Sequence, residues 1–289
     1  MTKSYLYAAI SILFWSTVAV VSKILLGNLD SFQVLWASTF FAGLFLLIVN
    51  IANKSIKKLK EYKLKDYLTI SAITLPGTFL YYVFYYSGAE KMAASQAFII
   101  NYLWPMMSVV FACIILKEKF TLRKALAIIV SFSGVAIVTG GEVSAFNMNT
   151  LTGAVFCILC AVSYGVFTAL NQKICYEKTL SMMIGYFVTF ILTTIINLIN
   201  GNLFVPNFTY TLGFIWNGAF TMALANTIWV IALESGKTAK ISNLAYITPF
   251  LALVWTSLIL KEELSVFSVI GLTVIVLGIF IQLKDKENN

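Results

Sequence analysis

The side chains best equipped for chemistry stand together at Asn101-Tyr102-Leu103-Trp104-Pro105. An amide, a phenol and an indole can hydrogen-bond and stack but cannot cleave or transfer a group. The chemistry on offer is recognition of a flat, apolar body with a polar end. Pro105 has no N–H for the carbonyl of Asn101 four residues back, and its ring kinks a helix. Pro249, in Tyr246-Ile247-Thr248-Pro249, does the same to the carbonyl of Ala245. Backbone carbonyls freed in this way need protein or water to face. The sequence suggests that the Asn101 carbonyl and side chain receive a ligand ammonium while Tyr102 and Trp104 stack on its apolar part. The competing reading is a kinked packing helix whose aromatics fill the interior.

Weaker candidates lie elsewhere. In Tyr81-Tyr82-Val83-Phe84-Tyr85-Tyr86, helical spacing puts Tyr81 with Tyr85 on one face and Tyr82 with Tyr86 on another. One pair can line a cavity, and an interfacial aromatic belt accounts for all four equally well. Trp15-Ser16-Thr17, Tyr164 and Asn226-Thr227 with Trp229 complete the set of candidate lining residues, and Pro76-Gly77 is a third site for bending.

Other chemistry is excluded by what is missing. The chain has no histidine, which removes the commonest general base and metal ligand. Cys157 and Cys160 form a C-x-x-C, but one turn apart in an apolar helix they read as small hydrophobes rather than a zinc or redox site. No metal, cofactor or catalytic residue is expected, and the usual enzyme constellations cannot be assembled. All twelve Asp and Glu fall in links or at helix ends. A central carboxylate for proton or cation coupling is absent from the pattern, as is a central Lys or Arg for a strongly anionic ligand. Lys23 reads as a snorkelling interface residue. The ligand is expected to be net neutral.

The elements that must position these residues are long and apolar. Sixty per cent of residues are hydrophobic and 11% charged, with a mean hydropathy of +0.89, beyond what one aqueous core can hide. The chain divides into ten runs at 5–26, 32–52, 66–87, 92–116, 124–140, 151–171, 180–200, 211–233, 241–260 and 266–283, each near the length that spans a bilayer core. The first is too long for a signal-peptide core and lacks a cleavage site. Trp104 falls at the middle of the fourth run, about 18 Å from either end, where an indole is unusual.

With a cytoplasmic N-terminus and alternating spans, the inside receives Lys3, the six lysines of 54–65, Lys117, Lys119, Arg123, Lys124, Lys173, Lys178, Lys237, Lys240, Lys284 and Lys286. That is 17 of 20 basic residues, leaving Lys23, Lys91 and Lys261 outside. The net charge of +8 is thus a topology signal with anionic lipid as a secondary partner, not a nucleic-acid surface.

The chain is also built twice. Residues 90–137 slide onto 234–281 without a gap: Tyr102 meets Tyr246, Pro105 meets Pro249, and Ile115-Leu116-Lys117-Glu118 meets Ile259-Leu260-Lys261-Glu262. Trp15-Ser16 likewise corresponds to Tyr164-Gly165. Two five-helix halves, 1–140 and 141–289, enter the membrane in opposite senses because five is odd. The expected fold is therefore an all-α integral membrane protein of ten transmembrane helices in two inverted repeats, forming one membrane domain.

These features resemble the EamA family of the drug/metabolite transporter superfamily over essentially the whole chain. The string at 101–105, Leu13-Phe14-Trp15-Ser16-Thr17, Asn226 to Trp229 and Tyr246 to Pro249 look more specifically like the YddG-type exporters of aromatic amino acids. The resemblance implies a bacterial inner-membrane exporter with both termini cytoplasmic, working by alternating access. It implies a cavity walled by helices 1, 3, 4, 6, 8 and 9. The substrate would touch Tyr102 and Trp104 and, with them, Asn101, Tyr81, Tyr85, Trp15, Tyr164, Asn226, Trp229 and Tyr246, with kinks at Pro105, Pro249 and Pro76. Tyr164 stands where the family tends to have tryptophan. The expected partners are a small-molecule substrate and membrane lipid, with the monomer as the working state and no nucleic acid. Carriers of another amino acid, a nucleoside or a vitamin, and a lipid-sensing or structural membrane protein, are the other readings.

Overall fold

The computed structural model describes residues 2–140, 148–173, 175–234, 241 and 244–286. Within them the chain is helical. Eight helices are long and apolar enough to cross a membrane: α1 (Lys3–Leu26), α2 (Ser31–Ala52), α3 (Leu64–Lys91), α4 (Ala94–Ile115), α5 (Leu122–Gly140), α6 (Met148–Lys173), α7 (Lys178–Ile199) and α8 (Phe208–Leu233). Two shorter apolar helices follow, α9 (Ala245–Leu260) and α10 (Val266–Gln282). Large apolar side chains such as Ile129, Leu198 and Leu258 lie exposed, as lipid-facing positions do. This is a multi-pass membrane protein. The helix ends fall within a few residues of the expected runs. Part of the ninth run, residues 242 and 243, lies outside the described residues, as do Lys237 and Lys240.

Several helices depart from regular geometry, three of them beside a proline. α4 is interrupted at Tyr102–Leu103, where Leu103 N–H bonds the Ile100 carbonyl at 3.1 Å, and Pro105 starts the next turn. α9 opens with a 3₁₀ turn, Ala245–Ile247, ahead of Pro249. Here the expectation of a freed carbonyl is corrected, because the Thr248 N–H closes a tighter turn onto Ala245. α3 carries a π turn at Pro76–Leu80, and α8 carries a longer one at Ile215–Leu224.

The chain forms two compact units. The first comprises Met1–Phe79 and Cys175–Ala252, the second Leu80–Ile174 and Leu253–Asn289, so each draws on both halves of the sequence. The chain passes from the first to the second within the π turn of α3.

In the first unit α2 packs on α7 and α8, α1 on the end of α8, and the start of α3 on α7. Buried polar groups tie these helices: Thr189 donates to Thr78 at 2.9 Å, Asn217 to Ser38 at 2.9 Å, and Thr179 to Asn50 at 2.9 Å. Asp30 caps α2, accepting from the N–H groups of Phe32 and Gln33 while Gln33 accepts from the Asp30 N–H.

In the second unit α6 packs on the latter part of α3 and on α4, and α5 on α10. The α5–α10 crossing is close enough to need glycine. A Cβ on Gly134 would lie 2.7 Å from the Gly271 carbonyl, and one on Gly278 would lie 2.8 Å from that of Ala127. Between them Ser131 donates to the Ile275 carbonyl at 3.3 Å. As α5 advances from 127 to 134, its partners on α10 recede from 278 to 271, so the helices run antiparallel. Lys117 and Lys261 end α4 and α9 with left-handed backbones (φ 60° and 55°). These let the Glu118 N–H turn back to the Ala112 carbonyl and the Glu262 N–H to that of Thr256. The Glu262 carboxylate then caps α4, accepting from the N–H groups of Ala94 and Ser95 at 2.8 and 3.1 Å.

Candidate functional site

The second unit gathers six of the ten expected residues. The π turn of α3 ends immediately before Tyr81, and such turns re-aim the side chains that follow. Gly165 lets α6 press on the backbone of α4, where an added Cβ would lie 2.6 Å from the Met107 carbonyl carbon. That approach brings Tyr164 to Trp104, with centroids 5.2 Å apart and rings nearly perpendicular at 75°. Tyr164 also meets Tyr81 at 5.1 Å, and Tyr81 lies parallel to Tyr85 at 6.3 Å. Tyr81, Trp104 and Tyr164 are half-buried, so their faces remain partly open. Tyr85 and Tyr102 are 1% and 4% exposed, which makes them the wall behind the open rings. Tyr82 and Tyr86 pair at 5.8 Å, and Tyr82 packs edge-on against Tyr81, so the two expected faces form one connected cluster.

Asn101 is 2% exposed and its amide has partners. The Cys160 thiol donates to its Oδ1 at 3.1 Å, and its Nδ2 donates to the Tyr81 hydroxyl at 3.0 Å. The side chain thus braces Tyr81, a different use from the ammonium contact its type suggested. The C-x-x-C pattern alone reads Cys160 as a packing residue. Its spacing of four from Tyr164, on one helix face, is the signal that joins it to the site.

The first unit carries the other four. Trp15 and Trp229 lie 5.1 Å apart at 58°, both half-buried. α1 is broken just after them at Thr17, whose hydroxyl donates to the Phe14 carbonyl at 2.7 Å and accepts from the Trp216 indole at 2.9 Å. Asn226 follows the π turn of α8 and donates from Nδ2 to the Met222 carbonyl at 2.6 Å. Tyr246 is half-buried in the 3₁₀ turn of α9. Among the described residues no group of three or more His, Cys, Asp or Glu side chains is placed to hold a metal ion.

Apolar spans, broken helices and half-buried aromatic clusters are the architecture of a multi-pass membrane protein of the transporter kind. The chain belongs to the EamA-like transporter family, which matches residues 2–140 and 151–283 separately. It is therefore a transporter and not an enzyme. An uncharacterized transporter of Clostridium kluyveri is 26% identical over 99% of this chain and 95% of its own length. One from Archaeoglobus fulgidus is 24% identical over 97% of each chain. The aromatic amino acid exporter YddG of Ancylobacter novellus is 22% identical over 84% of this chain and 83% of its own length. A solved crystal structure with 18% identity shares the fold at a TM-score of 0.69, covering 96% of this chain and 97% of the other.

Proposed function

We propose that the protein exports small net-neutral metabolites, aromatic and hydrophobic amino acids foremost, across a bacterial inner membrane by alternating access. The observation that carries the substrate class is the group of half-buried rings of Tyr81, Trp104 and Tyr164. Such surfaces suit a planar apolar body, and among the described residues no Lys, Arg, Asp or Glu is paired with any of the three rings. The likeness to an aromatic amino acid exporter supports the same class. Trp15, Trp229, Asn226 and Tyr246 are proposed as further contacts.

The inverted repeat is part of the proposal. In its support, the α5–α10 contacts pair residues under one offset: Ser131 with Ile275, and the Gly134–Gly271 contact mirrored by Ala127–Gly278. A self-matching antiparallel crossing is what a two-fold relation between equivalent helices produces. The left-handed Lys117 and Lys261 obey the same offset of 144, and the π turn at Pro76–Leu80, shifted by it, falls within the longer π turn at Ile215–Leu224. The basic residues in alternate links support cytoplasmic termini.

The test is uptake of labelled tryptophan, phenylalanine, alanine and a nucleoside into proteoliposomes. Saturable aromatic uptake that is lost in Trp104→Ala is the expected result. Stronger uptake of alanine or the nucleoside would remove the substrate class and leave the carrier.

A further inference from the structure

The hydrogen bonds from Cys160 through Asn101 to Tyr81 have a direction. A thiol is a weak donor and a weak acceptor, and here Cys160 donates to the amide oxygen of Asn101, 3.1 Å away. The amide nitrogen is then committed to the phenol, 3.0 Å away, and the Tyr81 oxygen accepts. The phenolic proton must therefore point elsewhere, and the Tyr81 hydroxyl forms no other hydrogen bond among the described residues. The inner end of the relay is sealed, with Cys160 at 0% and Asn101 at 2% exposure, while Tyr81 is half-open beside Tyr164.

We propose that the Tyr81 hydroxyl is a fixed donor for an acceptor on the transported molecule, the carboxylate of an amino acid, and that Cys160 and Asn101 are the positioning residues that fix it. This rests on the substrate reading above. An ammonium would need an acceptor, whereas the phenol oxygen already accepts from Asn101. A single uncharged donor does not neutralise a free anion, so the carboxylate it suits belongs to a zwitterion that carries its own ammonium. The thiol holds the relay in this sense. Without it the amide is free to turn, Oδ1 takes the phenolic proton, and the donor is lost to the ligand.

The test compares binding of L-tryptophan with tryptamine, which lacks the carboxylate, to the purified full-length protein. Wild type is expected to bind tryptophan at least about tenfold more tightly than tryptamine, the lower range for a hydrogen bond to a charged group. Tyr81→Phe keeps the ring and is expected to weaken tryptophan by about that factor while leaving tryptamine unchanged. Cys160→Ala is expected to move tryptophan the same way by a smaller factor. Cys160→Ser, whose hydroxyl donates to Oδ1, restores it. Equal binding of both ligands to wild type, or equal losses in Tyr81→Phe, would overturn the donor assignment with the substrate reading intact. Cys160→Ser matching Cys160→Ala would overturn the role of the thiol. If wild type binds no aromatic amino acid, the substrate reading falls and takes this inference with it.

Discussion

Both compact units bury polar side chains, and they use them differently. In the first, Thr78 and Thr189, Ser38 and Asn217, and Asn50 and Thr179 bond to one another across helices. These groups find their partners inside the unit, and what they do is hold α2, α3, α7 and α8 in register. In the second unit the helices are held by glycine contacts at α5–α10 and α4–α6, and the buried relay from Cys160 ends at a half-open phenol. The difference teaches how to tell a structural polar group from a functional one in a membrane interior. The threonine, serine and asparagine pairs of the first unit meet partners within the protein, whereas Tyr81, braced by Asn101, is the group proposed above to offer its proton to a ligand.

Five substitutions would break or sharpen this contrast. Trp104→Ala removes a half-open ring from the second unit and should slow aromatic amino acid uptake by about a hundredfold, in keeping with loss of a central aromatic anchor. The same change at Trp15, in the first unit, should cost about tenfold or less in the same assay; equal effects would erase the contrast. Gly278→Val forces a side chain against the Ala127 carbonyl and Ser131 and should destabilise by about 1–3 kcal/mol, seen as a lower melting temperature in detergent. Thr189→Val breaks one of these pairs in the first unit. It should cost about 0.6 kcal/mol, and at most about 1.7, with uptake unchanged. Altered substrate preference there would show that the pair is not merely structural. Glu262→Gln removes the charge from the N-terminus of α4 and one of the two acceptors of its cap, a loss of about 1 kcal/mol best read in the same melting assay.

Most of the fold was legible because lipid imposes one simple demand, a run of apolar residues long enough to span it. The limits of α2 and α5–α8 follow from that alone. The breaks at Tyr102–Leu103 and at Ala245–Ile247 were legible through proline, but the fate of the Ala245 carbonyl was not, since a 3₁₀ turn resolves locally what the missing N–H disrupts. The π turns of α3 and α8 leave no clear residue signature in α8, where no proline stands at Ile215–Leu224. Among the candidate residues, Trp104 stood out by type and depth, while the spacing of Tyr81 and Tyr85 left a cavity face and an interfacial belt equally open. The use of Asn101 was not readable, because its partners Tyr81 and Cys160 lie 20 and 59 residues away and reach it only through packing. For the same reason, spacing alone could not separate the open rings of Tyr81 and Tyr164 from the sealed ones of Tyr85 and Tyr102.

The glycine crossing of α5 and α10 has a practical consequence. Backbones that approach this closely leave no room for lipid or water, and Ser131 fastens the centre. Its amide protons should be among the last in the chain to exchange with deuterated solvent. Spectroscopic labels at the outer faces of these two helices should then keep a constant separation with and without ligand. They supply the fiducial mark against which displacements elsewhere in the protein are measured.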